Sequence, residues 1–185
     1  ASTLQGKHML GYQGWFTCPG DGSDIDNWSH WSPSVAPTAD SVSFDAWPDM
    51  SEIPQDERCM TGMTLPDGSP AALFSSHHPS TVARHFEWME DHRLDGVFLQ
   101  RFSWELASAP HLAFRDTVSL HVRSSAEETG RVYAIMYDIT GHSGSTLVAD
   151  LQADWRHLVD DLGHTGSTSY LSHGGRPVVG LWGLG

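Results

Sequence analysis

Val132-Tyr-Ala-Ile-Met-Tyr-Asp138 is an almost unbroken apolar run, the pattern of a β-strand covered on both faces and closed by a carboxylate. A similar run, Asp95-Gly-Val-Phe-Leu-Gln-Arg-Phe102, precedes it, with the buried strand starting at Val97 and ending near Phe102. Between the two, Ser108 with Pro110 just inside opens a helix that runs to about Glu128, before Gly130. Working outward, Leu147, Val148, Leu151, Trp155, Leu158, Val159 and Leu162 repeat at helical spacing until Gly163. Pro177-Val-Val-Gly-Leu-Trp182 then reads as a further strand. Towards the N-terminus, Ser80 is placed to cap a helix over 81–92 whose Val82, Phe86 and Met89 share a face. Residues 8–17 read as the first strand, ending at the turn pair Pro19-Gly20. Residues 18–79 hold most of the Pro, Gly, Ser and Asp with no sustained period, but Trp28, Trp31, Phe44, Trp47 and Phe74 argue for a folded, elaborated loop.

The order is therefore β-loop-α-β-α-β-α-β, which implies parallel strands joined by right-handed crossovers. An open doubly wound sheet and a (β/α)8 barrel both begin this way. No Gly-x-Gly-x-x-Gly follows the first strand, which disfavours a dinucleotide fold. Four strands make half of a barrel, and the last has no helix after it. The reading is a single α/β domain over 1–185: a parallel, TIM-barrel-like (β/α) half-barrel with a long loop after its first strand. Its core would be completed by a second copy of the chain or by a complementing C-terminal half.

The 185 residues carry 10 Lys and Arg against 23 Asp and Glu, a net charge of −13 that disfavours a nucleic-acid partner. No apolar run is long enough to span a bilayer, so no membrane role is expected. No basic-then-apolar leader is present, so any signal peptide has been removed. Protonating all 12 His would bring the net charge from −13 to −1, easing self-repulsion below about pH 6 and suiting an acidic extracellular medium. Asn27-Trp28-Ser29 is an N-glycosylation acceptor sequence. Cys18 and Cys59 are either one disulfide of a secreted protein or two buried thiols. No cofactor or metal is expected: Asp21, Asp24 and Asp26 lack EF-hand spacing, and neither His77-His78 nor His85 with His92 has ligand spacing.

In a parallel barrel, chemistry sits at the C-terminal ends of the strands. That rule selects Gln13 and Trp15 after the first strand, and Gln100, Arg101 and Glu105 around the end of the second. It adds Tyr137 and Asp138 at the end of the third and Trp182 at the end of the fourth. Indole faces stack on the C–H face of a sugar while amides, Arg and carboxylates take its hydroxyls, so the set suits a glycan. Asp138 and Glu105 would be the catalytic pair, since glycoside hydrolysis needs two carboxyls about 5–5.5 Å or roughly 6.5–9.5 Å apart. Gln13, Trp15, Gln100, Arg101, Tyr137 and Trp182 would bind substrate. The alternatives are an Asp138 that caps the next loop through Thr140 or Gly141, a solvated Glu105, and an Arg101 held in a salt bridge. Trp28, His30 and Trp31 either line a sugar cleft or pack the long loop.

Six ordered segments also resemble a known family: Gly11-Tyr-Gln-Gly-Trp-Phe16, Thr61-Gly-Met63 with Pro66-Asp-Gly-Ser-Pro-Ala71, Asp95 to Phe102, Met136-Tyr-Asp-Ile-Thr-Gly141, Asp154-Trp-Arg-His-Leu158 and Pro177 to Trp182. They are similar to secreted bacterial and fungal proteins labelled xylosidase/arabinosidase. These in turn look related to glycoside hydrolase families 71 and 99, which are (β/α)8 barrels acting on α-glucan and α-mannan. The resemblance covers about the first half of a family member. It implies that Asp138 matches a carboxylate at the end of the third strand, with Asp in place of Glu, and that the other catalytic acids lie in the second half. The expectation is a secreted carbohydrate-active protein, glycosidase or lectin-like, with a glycan or polysaccharide as partner.

Overall fold

A computed structural model describes residues 3–142 and 144–184. In chain order the regular elements are β1 (Met9–Tyr12), β2 (Cys59–Thr64), β3 (Pro70–Leu73), α1 (Pro79–Asp91), β4 (Gly96–Phe102), α2 (Ala109–Thr129), β5 (Val132–Asp138), α3 (Leu147–Arg156), β6 (Ser172–His173), β7 (Arg176–Pro177) and β8 (Val179–Trp182). The main sheet runs β1-β4-β5-β8 with every pair parallel. Strand order follows chain order without reversal, so there is no switch point as in a doubly wound sheet, and successive right-handed crossovers leave the helices on one face.

Hydrogen bonds and register identify that face. Tyr12 bonds His85 of α1, Arg101 bonds Asp116 of α2 and Asp154 of α3, and Tyr137 also bonds Asp154. Side chains alternate along a strand, and paired residues of parallel strands share a side. Gln100 pairs with Met136, Phe102 with Asp138, and Asp138 with Trp182, so these residues face away from the helices. The result is a partial α/β barrel wall, helices outside and an open face inside, and among the described residues no barrel closes.

Phe114, Val118, Val122 and Ala126 recur every four residues along α2, and all are buried against the sheet. Gly130 stops the helix in the left-handed conformation, at φ 67°. Val82, Phe86 and Met89 are likewise the buried stripe of α1. Regular α-geometry in α3 ends at Arg156, and a π-helical turn, His157–Asp161, carries the chain to Gly163. At the start of β4, a side chain on Gly96 would lie 1.9 Å from the Val132 carbonyl oxygen, so only glycine lets β4 pair this closely with β5.

Four expected boundaries move. The first strand covers Met9–Tyr12 rather than 8–17, because the chain then dives inward: a Cβ on Gly14 would touch Val118. The 18–79 loop contains an antiparallel hairpin, β2–β3. Helix α1 starts at Pro79, with His78 before it, so Ser80 lies within the first turn and caps nothing. Strand β8 begins at Val179, because Pro177 belongs to the short β6–β7 hairpin.

The long loop has its own apolar core. Cys18, Trp28, Trp31, Cys59 and Leu73 are buried together, and Phe16, Phe44, Trp47 and Phe74 pack against them. Cys18 and Cys59 form a disulfide. Trp28, Trp31 and Trp47 each donate the indole N–H to a backbone carbonyl, those of Val35, Phe74 and Ala72. Buried indoles with satisfied N–H groups are packing residues. Trp28 and Trp31 therefore hold the loop together. Among the described residues no helix is long and apolar enough to cross a membrane.

Candidate functional site at the strand ends

Strand alternation divides the selected residues between two faces. Gln100, Asp138 and Trp182 lie on the open face; Arg101 and Tyr137 lie on the helix face. Asp138 is 5% exposed, and its Oδ1 accepts the Thr140 N–H at 2.9 Å, as a loop cap would. Its Oδ2 has no hydrogen-bond partner among the described residues, so one carboxylate oxygen is uncommitted. The side-chain amide of Gln100 is equally without a partner there. Trp182 is 58% exposed on the edge strand, and its carbonyl accepts the Ile139 N–H at 3.0 Å. The close approach of Gly183 to the backbone of Thr140, at φ 88°, brings the exit of β8 onto the loop after β5. Phe102, read from the sequence only as the end of a strand, shares this face with Gln100 and pairs with Asp138; that register is the signal that finds it.

Arg101 is not free to meet a ligand. Its guanidinium is 2% exposed and donates Nε and Nη2 to the two oxygens of Asp154 at 2.8 and 2.6 Å, with Nη2 also reaching Asp116 at 2.8 Å. Tyr137 is committed to the same network, donating its hydroxyl to Asp154 at 2.7 Å. Burial pushes the Tyr137 hydroxyl pKa well up, with the Asp154 charge adding to it. His157 extends the network, bridging Asp116 and Asp161 at 2.8 Å each, and its hydrogen bond to Asp161 raises its pKa. The substrate-binding role expected of Arg101 and Tyr137 gives way to a structural one: together they tie β4 and β5 to α2 and α3.

Glu105 is neither solvated nor open to substrate. It is 1% exposed and grips Arg115 through two bonds, Nε to Oε2 at 2.6 Å and Nη2 to Oε1 at 2.8 Å. Arg115 also donates Nη1 to the Gly14 carbonyl at 2.9 Å. A carboxylate spent on a buried guanidinium cannot serve as the partner acid of Asp138, so the expected catalytic pair does not assemble. Trp15 is also corrected: it is 8% exposed and stacked with His30 at 4.9 Å and Phe102 at 4.7 Å, so it is no open platform for a sugar.

What the β1 side offers is the rim of that stack. A cleft of about 380 Å³ is lined by exposed Gln13 with Trp15, Phe16, His30, Ser43 and Phe44. His30 sits at φ 63°, an uncommon backbone conformation for a non-glycine residue. Burial and the nearby Arg115 charge lower its pKa to about 4, so it is a neutral ring near pH 7. From Gln13 through Phe102 and Asp138 to Trp182, the strand ends present an amide, aromatic rings, a carboxylate and an indole. Neighbouring parallel strands lie about 4.8 Å apart, so this row extends for roughly 14 Å. Among the described residues no group of three or more His, Cys, Asp or Glu is gathered to hold a metal ion.

No protein-family model matches the sequence, and no curated protein matches it. Solved structures do share the fold. The GH99 endo-α-mannosidase from Bacteroides thetaiotaomicron, in complex with BIS-TRIS-propane, superposes with a TM-score of 0.56 at 10% identity, over 96% of this chain and 42% of that one. A second structure of the GH99 endo-α-mannosidase from Bacteroides thetaiotaomicron gives 0.54 at 12% identity, over 94% of this chain and 44% of that one. This chain thus shares the fold of part of those two structures and spans less than half of their length.

Proposed function

We propose that this chain is a carbohydrate-active protein that holds a glycan across the strand ends of its open sheet face. The observation that carries the reading is the shared face of Asp138, Gln100 and Trp182: an uncommitted carboxylate oxygen, an unbonded amide and an exposed indole. A carboxylate and an amide take sugar hydroxyls, and an indole takes the apolar face of the ring. The glycoside-hydrolase-like fold supports the same ligand class. The Cys18–Cys59 disulfide supports an extracellular setting.

Hydrolysis needs a second carboxyl, and Asp138 is the sole carboxylate on the open face of the four strands. In this reading the chain alone binds glycan in the manner of a lectin. Turnover requires a partner, either a second copy or a complementing C-terminal half. The free edge of the sheet supports that: Val179, Leu181 and Trp182 of β8 are exposed, beside an apolar groove of about 390 Å³ against α3.

The test is binding and hydrolysis of α-mannan, α-glucan and arabinoxylan oligosaccharides by the wild type and by Asp138→Asn, with the solution mass measured by light scattering. Binding by the wild type, weakened in Asp138→Asn, supports the reading. A chain that binds none of them overturns it. Hydrolysis by a monomer overturns the requirement for a partner.

A further inference from the structure

The long loop brings one more polar side chain to the open face. His30 and Phe102 lie 5.8 Å apart with their planes 5° from parallel, and both stack on Trp15, at 4.9 and 4.7 Å. Rings on opposite faces of an indole would stand farther apart, so these two sit side by side on one face of Trp15. Phe102 pairs with Asp138 across β4 and β5, so His30 continues the Asp138 row towards Gln13 at the end of β1. Both rings are partly exposed. The His30 backbone is at φ 63°, a conformation that glycine holds without strain, so the turn itself has no need of an imidazole.

Hydrogen bonding sets His30 apart. Burial lowers the pKa of four histidines, His30, His85, His121 and His164. Three of them bond a neighbour: His85 the Tyr12 hydroxyl at 2.8 Å, His121 the His77 carbonyl at 3.1 Å and His164 the Ser119 hydroxyl at 2.9 Å. Neither ring nitrogen of His30 has a partner among the described residues, and neither is sealed from solvent. Taking a polar group partly out of water without a compensating bond is unfavourable, and a ligand hydroxyl that reaches it supplies that bond.

The walls around the ring define the ligand class. His30 and Ser43 line two clefts, of about 380 and 450 Å³. Apart from His30, neither lining holds an ionisable side chain, so no charge is offered to an ion. Arg115 and Glu105, whose charges reach the His30 ring, are paired with each other. A neutral ligand rich in hydroxyls fits these walls. One nitrogen of a neutral imidazole donates and the other accepts, and Gln13 and Ser43 add an amide and a hydroxyl.

We propose that His30 is a glycan-binding residue of the strand-end site, supplied by the long loop, whose open ring nitrogens bond hydroxyls of the sugar unit seated at the β1 end. The proposal rests on the glycan reading above and deepens it, since it makes the loop part of the binding surface.

The experiment is an NMR titration of the isotope-labelled chain with α-mannan, α-glucan and arabinoxylan oligosaccharides long enough to reach from Trp182 to His30. The Trp182 indole N–H and the His30 ring nitrogens report the two ends of the row. The expected result is that a glycan that shifts Trp182 also shifts the His30 nitrogens. His30→Phe keeps a ring against Trp15 but removes the nitrogens, and it weakens binding roughly tenfold, as the loss of one hydrogen bond would. Near-ultraviolet circular dichroism checks that this variant is folded; where it is not, the ring signals of the wild type decide alone. A glycan that shifts Trp182 and leaves the His30 nitrogens unmoved overturns the role of His30 and leaves the proposed function standing. A folded His30→Phe that binds as tightly as the wild type does the same. Absence of any response at either residue overturns both.

Discussion

Replacing Glu105 tests whether that carboxylate builds the fold or serves a reaction. The Arg115 guanidinium is 4% exposed and meets Glu105 through two bonds, at 2.6 and 2.8 Å, with the Gly14 carbonyl taking a third at 2.9 Å. It also lies 5.5–6.0 Å from the rings of Phe114, Phe102 and Trp15. In Glu105→Ala the cation remains buried with one carbonyl and three ring faces as company. Removing one partner of a buried ion pair costs about 3–5 kcal/mol, a large share of the roughly 5–15 kcal/mol that holds a domain folded. For a chain of this size that is a drop in Tm of roughly 6–20 °C. Glu105→Leu combined with Arg115→Met removes both charges, and replacing a buried pair by apolar residues ranges from neutral to stabilising. The double variant therefore recovers most of the loss. Urea unfolding of the wild type, Glu105→Leu, Arg115→Met and the double variant, followed by near-ultraviolet circular dichroism, gives the coupling energy directly. A Glu105→Ala variant that loses under 1 kcal/mol of stability but loses glycan binding would refute the structural assignment and return Glu105 to the site.

Three further outcomes follow from the fold. The Cys18–Cys59 disulfide closes a loop of 41 residues, for which chain entropy gives about 4 kcal/mol, so reduction should lower stability by up to that amount; thermal unfolding with and without a reductant measures it, and an unchanged Tm would count against the bond. Acidification should destabilise the chain. Burial lowers the pKa of His30, His85 and His164 from 6.5 to about 4, so the unfolded state binds more protons between those values, and the stability present above pH 6.5 is lost as pH falls towards 4. His157, whose pKa is raised, works the other way and holds its contribution at low pH; being partly exposed, it offsets little. A Tm that climbs steadily from pH 7 to 4 would mean that relief of the −13 charge outweighs the buried imidazoles. Finally, Gly96→Ala forces β4 away from β5 and should cost about 3 kcal/mol, at the upper end for overpacking, because the obstacle is the Val132 backbone; an equilibrium unfolding curve that matches the wild type would contradict the strand pairing.

The regular elements of the second half were readable because they are local. β4 and β5 announce themselves as apolar runs between turn residues, and α2 ends at Gly130 because a left-handed residue stops a helix wherever it occurs. Parallel order followed from the alternation of those elements, and right-handed crossovers made a barrel wall one of two outcomes. The β2–β3 hairpin was missed because its strands are short, contain Gly62 and Pro70, and gain their cover from Trp31 and Trp47, which precede it across the long loop.

The site depended on more than position. Selecting residues by strand end gathered Gln100 with Arg101 and Asp138 with Tyr137, yet neighbours on a strand point to opposite faces. Which face the helices cover is decided by packing, and that packing drew Arg101 and Tyr137 into a buried network with Asp116 and Asp154 while leaving Gln100 and Asp138 uncovered by helices. Glu105 meets Arg115 because a tight turn folds the start of α2 back over it, and Cys18 meets Cys59 because the long loop closes on its own aromatic core. Sequence by itself determined the elements, their order and the acidic, indole-rich character of the chain, since these rest on local periodicity and composition. Tertiary structure alone decided which charges are spent on each other and which face the open side, because desolvation and pairing act between residues far apart in the chain.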